Sequence, residues 1–161
     1  MSSAPVWTCH RSVDVDVPVS FAWHYMTDVR NWSDPPAEFT LDSPFAAGTR
    51  GTTRMPGQPA NSWTVHDVEP GRAYTIHGSL SQNASLLCHW RFDPLSESTT
   101  RLTQRLELCG ENAAAYIGDI RAAFEPNLEP GMRRIAQMMT RAAGDGTAAG
   151  RDPAARDRVD D

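Results

Sequence analysis

Lysine is absent from this chain: all fifteen basic side chains are arginines, against twenty carboxylates, for a formal charge of −5. A nucleic-acid partner normally needs a basic face, so this balance argues against one. Arginine-only usage points to GC-rich coding of a bacterial kind. Cysteine is scarce as well. Cys9, Cys88 and Cys109 are odd in number and lack metal-ligand spacing, which excludes a disulfide framework and suggests a reducing cytoplasm. No apolar run is long enough to span a membrane, and no basic segment followed by an apolar stretch marks a signal peptide. Glycine-rich phosphate loops and the G-x-S-x-G nucleophile elbow are also missing. The expectation is a cytoplasmic protein of one domain, residues 1–143, followed by a disordered tail over 144–161 that is rich in Gly, Ala, Asp and Arg.

What is present is a change of period at a proline. Val13, Val15 and Val17 alternate with Asp14 and Asp16, the pattern of a half-buried strand. After Pro18, Val19, Ala22, Trp23 and Met26 recur at helical spacing, and helical signals continue loosely to a stop at Pro35-Pro36. Strand-like segments then follow one another: Phe39 to Ser43, Thr49 to Met55, Asn61 to Val68, Ala73 to Gly78, Ala84 to Phe92 and Thr100 to Cys109. Turn residues separate most of them, among them PGQPA (56–60) and Glu69-Pro70-Gly71-Arg72. From Glu111 the period is helical again, with Pro126 and Pro130 dividing the stretch and the stronger piece running from about Pro130 to Ala143.

Sequential strands joined by short turns pair as antiparallel neighbours, and directly opposed residues share a face. Keeping apolar residues together predicts one inner face: Phe39, Leu41, Thr53, Met55, Trp63, Val65, Tyr74, Ile76, Leu86, Cys88, Trp90, Phe92, Leu102, Gln104, Leu106 and Leu108. The outer face then carries Arg50, Arg54, Thr64, His66, Thr75, His77, His89, Arg91, Arg101, Arg105 and Glu107. Val65 and Val68 differ in parity, which requires a bulge or early strand end near His66-Asp67. The stripe Phe124, Leu128, Met132, Ile135, Met139 supplies the cover for the apolar side.

The order strand, two short helices, six-strand antiparallel meander and long C-terminal helix resembles the helix-grip fold of the START-like, Bet v 1-like (SRPBCC) superfamily. Within it the chain is most similar to the bacterial polyketide cyclase/dehydrase and lipid-transport group. VDVDVPVSFAW (13–23), Trp32, PFAAGTRG (44–51), WTVHDVEPGR (63–72) and GMRRIA (131–136) carry the likeness, which spans about residues 6 to 143. The resemblance implies an α+β fold: a seven-stranded curved antiparallel sheet wrapped on the long C-terminal helix, with two short helices between strands 1 and 2. It also implies a small hydrophobic ligand held between sheet and helix, in a monomer or homodimer. Some members cyclise their ligand and others only carry it.

Polar groups in the apolar rows mark where a ligand would sit. Trp63, Tyr74, Trp90, Gln104 and Thr53 interrupt the inner face, with Met55 and Cys88 beside them and Phe124, Leu128 and Met132 opposite. A buried Gln must satisfy its hydrogen bonds or lose roughly 1–3 kcal/mol, so these groups form either an internal network or a cavity lining. A dry void of about 300 Å3 would cost about 7 kcal/mol at roughly 24 cal/mol per Å3, which favours a wet or filled space. Tyr74 and Arg11 are the candidate catalytic groups: Arg11 shares the parity of Val13, and either side chain could polarise a carbonyl in an aldol-type cyclisation or dehydration. No cofactor and no dedicated metal site are expected. His66, His77 and His89 read as exposed strand histidines, suited at most to adventitious metal. A protein-interaction module resembling START-related co-chaperones is the rival, and it would need exposed apolar residues on the outer face, which is instead polar and arginine-rich.

Overall fold

Pro18 stands where one regular element becomes another. In the computed structural model of the protein, which describes residues 4–32 and 37–149, β1 (Trp7–Val15) ends three residues before α1 (Val19–Met26), and Pro18 is the N-cap at φ −62°. The proline lacks an N–H that the first turn could not have satisfied internally, so the switch loses no hydrogen bond. The wholly buried Thr100 pins the junction, its hydroxyl donating to the Val17 carbonyl at 2.8 Å. A 3-10 turn over Val29–Asn31 follows, with the Arg30 N–H donating to the Asp28 carboxylate at 3.1 Å. The stop expected at Pro35-Pro36 lies outside the described residues.

Six further strands complete one antiparallel sheet: β2 (Glu38–Leu41), β3 (Arg50–Arg54), β4 (Asn61–Glu69), β5 (Ala73–Ser81), β6 (Ala84–Pro94) and β7 (Thr100–Cys109). Their spatial order is β1-β7-β6-β5-β4-β3-β2, so β1 and β2 form the edges. The pairings place the predicted inner residues in shared rows. One row runs Cys9, Leu106, Cys88, Ile76, Val65; another runs Arg11, Gln104, Trp90, Tyr74. The irregularity required by Val65 and Val68 is present: register shifts between His66 and Glu69, and Asp67 takes φ 49°.

A 3-10 turn at Ala113–Tyr116 leads into α2 (Ile117–Phe124), and after a short break α3 runs from Leu128 to Ala149. Pro126 lies in the break and Pro130 in the first turn of α3, where its missing N–H is harmless. Leu128, Met132, Ala136 and Met139 are buried against the sheet, with Phe124 and Ile135 packed beside them. The helix approaches the backbone of β1 more closely than that of the central strands. It also passes Gly144, where the sequence places the start of a tail, and continues to Ala149. Propagation adds a hydrogen bond per residue, and a helical glycine costs only about 1 kcal/mol, so the loss of apolar periodicity is no stop signal. The remainder of that tail lies outside the described residues.

Candidate functional site

The inner row Arg11–Gln104–Trp90–Tyr74 crosses from the sheet edge to its centre. Midway along it the Gln104 side chain reaches diagonally to the neighbouring row, its Nε2 donating to the Cys88 thiol at 3.0 Å. Burial pushes the Cys88 pKa up to about 11, outweighing the Gln104 hydrogen bond, which favours the thiolate. Despite this desolvation Cys88 keeps accessible surface, as do Gln104, Ile76 and Leu86 on the sheet and Phe124 and Ile135 on the helices. These side chains pack against the core cluster while remaining only partly buried, so they form the least tightly covered part of the inner face. They lie on the side of the sheet that α3 covers, beside the cluster in which Leu128, Met132, Ala136 and Met139 are buried with Trp90 and Leu106.

The other half of the interior is filled. Tyr74 is 1% exposed, with the rings of Phe45, Trp23 and Phe92 at 4.9, 5.9 and 6.0 Å. Its hydroxyl points to the Met26 carbonyl at 3.4 Å, and burial raises the phenol well above its ordinary range. Trp63 packs on Trp32 at 5.3 Å, donates its indole N–H to Thr53 Oγ1 at 2.9 Å and lies across Gly51. The polar atoms of Trp63 and Thr53 thus satisfy each other, and Met55 lies just beyond the end of β3. Leu128 and Met132 are buried in the core and Phe124 borders it. Trp32 and Phe45, absent from the predicted site, supply the rings that close this half. Only three-dimensional packing places them there.

Arg11 and Tyr74 stand three inter-strand steps apart, about 14 Å at roughly 4.8 Å each, and their polar ends turn to different partners, the His10 and Met26 carbonyls. Arg11 instead borders an open groove of about 500 Å3 between β1 and the α2–α3 bend, with Glu125, Glu129, Arg133, Arg134 and Gln137. Its guanidinium donates to the His10 carbonyl at 2.7 Å. On the outer face, Thr75 Oγ1 and Glu107 Oε2 hold the two nitrogens of His89 at 2.8 and 3.1 Å, and the rings of His66 and His77 stand 5.4 Å apart. Among the described residues, no three His, Cys, Asp or Glu side chains are grouped to hold a metal ion, and no helix is long and apolar enough to cross a membrane.

Residues 6–142 match the sequence pattern of the family described as polyketide cyclase / dehydrase and lipid transport. The chain belongs to this family. No curated protein sequence matches it. Solved structures share the fold at low identity. A norcoclaurine synthase from Thalictrum flavum, in complex with dopamine and hydroxybenzaldehyde, superposes with a TM-score of 0.63 at 11% identity, over 82% of this chain and 85% of that one. The Zhui aromatase/cyclase from Streptomyces sp. R1128 gives 0.63 at 16%, over 85% and 95%. A Thermobifida fusca protein solved in solution gives 0.63 at 12%, over 83% and 93%. Membership of the family supports binding of a small hydrophobic ligand.

Proposed function

We propose that the crevice over Cys88 and Gln104 holds a small hydrophobic or aromatic molecule, polyketide- or lipid-like, and that the protein serves chiefly as its container. One observation carries this reading: Cys88 and Gln104, bonded to each other at 3.0 Å in the middle of the apolar inner face, both remain only partly buried. The surrounding Ile76, Leu86, Phe124 and Ile135 offer apolar walls, while Gln104 offers a polar contact. In this reading Trp90 and Cys88 form the floor, and Trp63, Thr53, Tyr74 and Met132 support it from within the packed core.

The chemistry of these groups favours holding over turnover. Aldol cyclisation or dehydration needs an acid or base at the bound carbonyl. At neutral pH Cys88 is an un-ionised thiol, and the Tyr74 phenol is sealed away from the crevice. Cyclase or dehydrase activity would therefore rest on enclosing and folding the ligand, with Gln104 as the hydrogen-bonding partner of its oxygen.

Native mass spectrometry of freshly purified protein tests the reading, together with titration by the neutral aromatic probe N-phenyl-1-naphthylamine. A small-molecule adduct lost on denaturation, or a saturable rise in probe fluorescence, is expected. Neither signal, with Cys88 equally reactive in the presence and absence of probe, would overturn it.

A further inference from the structure

The groove between β1 and the α2–α3 bend contains arginines that the protein leaves unneutralised. Its two carboxylates are already engaged by arginines four residues away on the same helical path: Glu129 Oε1 with Arg133 Nη2 at 2.6 Å, and Glu125 Oε2 with Arg121 Nε at 3.0 Å. Among the described residues, Arg11 and Arg134 form no ion pair, although both border the groove. Arg11 uses Nη1 on the His10 carbonyl and the Cys9 sulfur, which fixes the guanidinium along β1 and leaves its Nε and Nη2 donors unused by the chain. Arg134 lies back over the bare flank of Gly131, since a Cβ there would sit 4.0 Å from Arg134 Nη2. This occurs in a chain with five more carboxylates than arginines, so a shortage of acidic partners does not explain it.

We infer that this groove is a recognition site for an oxyanion, a carboxylate or a phosphate monoester, held by Arg11 and Arg134. Guanidinium groups present planar, paired donors that match both chemistries. The pre-paired Glu125 and Glu129 are spoken for and so repel an incoming anion less than free carboxylates would. Gln137 adds a neutral hydrogen-bonding side chain at the rim, and Pro126 and Pro130 border the groove at the helix corner. The site is separate from the crevice over Cys88 and stands without it.

The test is a titration of the 15N-labelled full chain with inorganic phosphate at constant ionic strength, following backbone amides and arginine Nε–H signals. Saturable shifts at Arg11, Gly131 and Arg134 are expected. Arg11→Gln and Arg134→Gln should each weaken binding about two- to fivefold, the range of exposed charge pairs, and the double variant should abolish saturation. Arg50→Gln, on the outer face, should change nothing. Repeating the titration with hexanoate separates the two sources: tighter phosphate indicates a phosphorylated partner, and tighter hexanoate a ligand's own carboxylate. Shifts that grow linearly, that spread equally to Arg50 and Arg72, or that persist in the double variant overturn the inference. Signals of Trp90 and Gln104 report the interior crevice, so failure at one site is distinguishable from failure at the other.

Discussion

The side-chain amide of Gln104 donates to the thiol of Cys88 across 3.0 Å, a diagonal contact between β7 and β6 on the sheet's inner face. Sulfur is a weak acceptor, so the bond itself contributes little to stability. Its consequence is positional: it fixes the amide on the half-buried part of the inner face, and among the described residues the Gln104 carbonyl oxygen has no hydrogen-bond partner. Gln104→Leu should therefore fold with a loss of at most about 1 kcal/mol, while ligand affinity falls roughly two- to tenfold, the worth of one hydrogen bond. Denaturant unfolding alongside a binding isotherm separates the two. Loss of folding with unchanged affinity in the surviving protein would assign Gln104 to the core alone.

Cys88 gives a prediction with a sign. Its folded pKa, about 11, lies above the ordinary value of 9.0 because burial disfavours the thiolate. The folded state thus binds more protons between those values. The contribution of this group to stability is fully present below pH about 9 and is lost as pH rises through about 11. Peptide mapping after brief iodoacetamide treatment near pH 8 should show Cys88 labelled slowly, with the rate climbing until about pH 11. Saturating N-phenyl-1-naphthylamine should slow it further. Fast labelling at pH 8 would contradict the desolvated position.

The sheet was legible because a period of two, anchored at turns, leaves little freedom in register. Arg11, Gln104, Trp90 and Tyr74 share a face in the sequence and a row in the fold. Parity also located the irregularity at Asp67. It could not show how the interior divides. Whether Tyr74 or Cys88 borders open space depends on where Trp32, Phe45 and Trp23 put their rings, and on how far α3 stands from each strand. Neither is a local property. The reach of Arg11 escaped for a related reason: parity gives the face of Cα, while a long side chain on an edge strand can leave it towards a neighbouring helix. The outer partnership of His89 with Glu107 and Thr75 likewise needs the actual side-chain rotamers.

Thr100 is fully buried, and its hydroxyl reaches from β7 to the Val17 carbonyl just before Pro18. Thr100→Val keeps the shape and removes the donor, leaving a buried carbonyl short of a partner. The expected loss is about 1–3 kcal/mol, and the melting temperature should fall by roughly 2–4 °C for each kcal/mol in a chain of this size. Thr100→Ser should recover much of it. Equal melting of wild type and valine variant would show that the hydroxyl does not hold this junction.

Gly51 lies on β3 directly opposite Trp63 on β4, and the indole crosses the place where a Cβ would project. Three ring atoms, Cη2, Cζ2 and Cζ3, would overlap an added methyl group, and the ring cannot yield freely because its N–H is bonded to Thr53 Oγ1 at 2.9 Å. Gly51→Ala should cost about 1–3 kcal/mol, the usual range for overpacking, with a red shift in tryptophan emission as the indole is displaced. Trp63→Leu alone should also destabilise, by removing a large buried ring. If the steric contact is the cause, the double variant will be less destabilised than the sum of the two, with coupling of about 1 kcal/mol or more. Strict additivity in urea unfolding would show that Gly51 is required for its backbone and not for the ring above it.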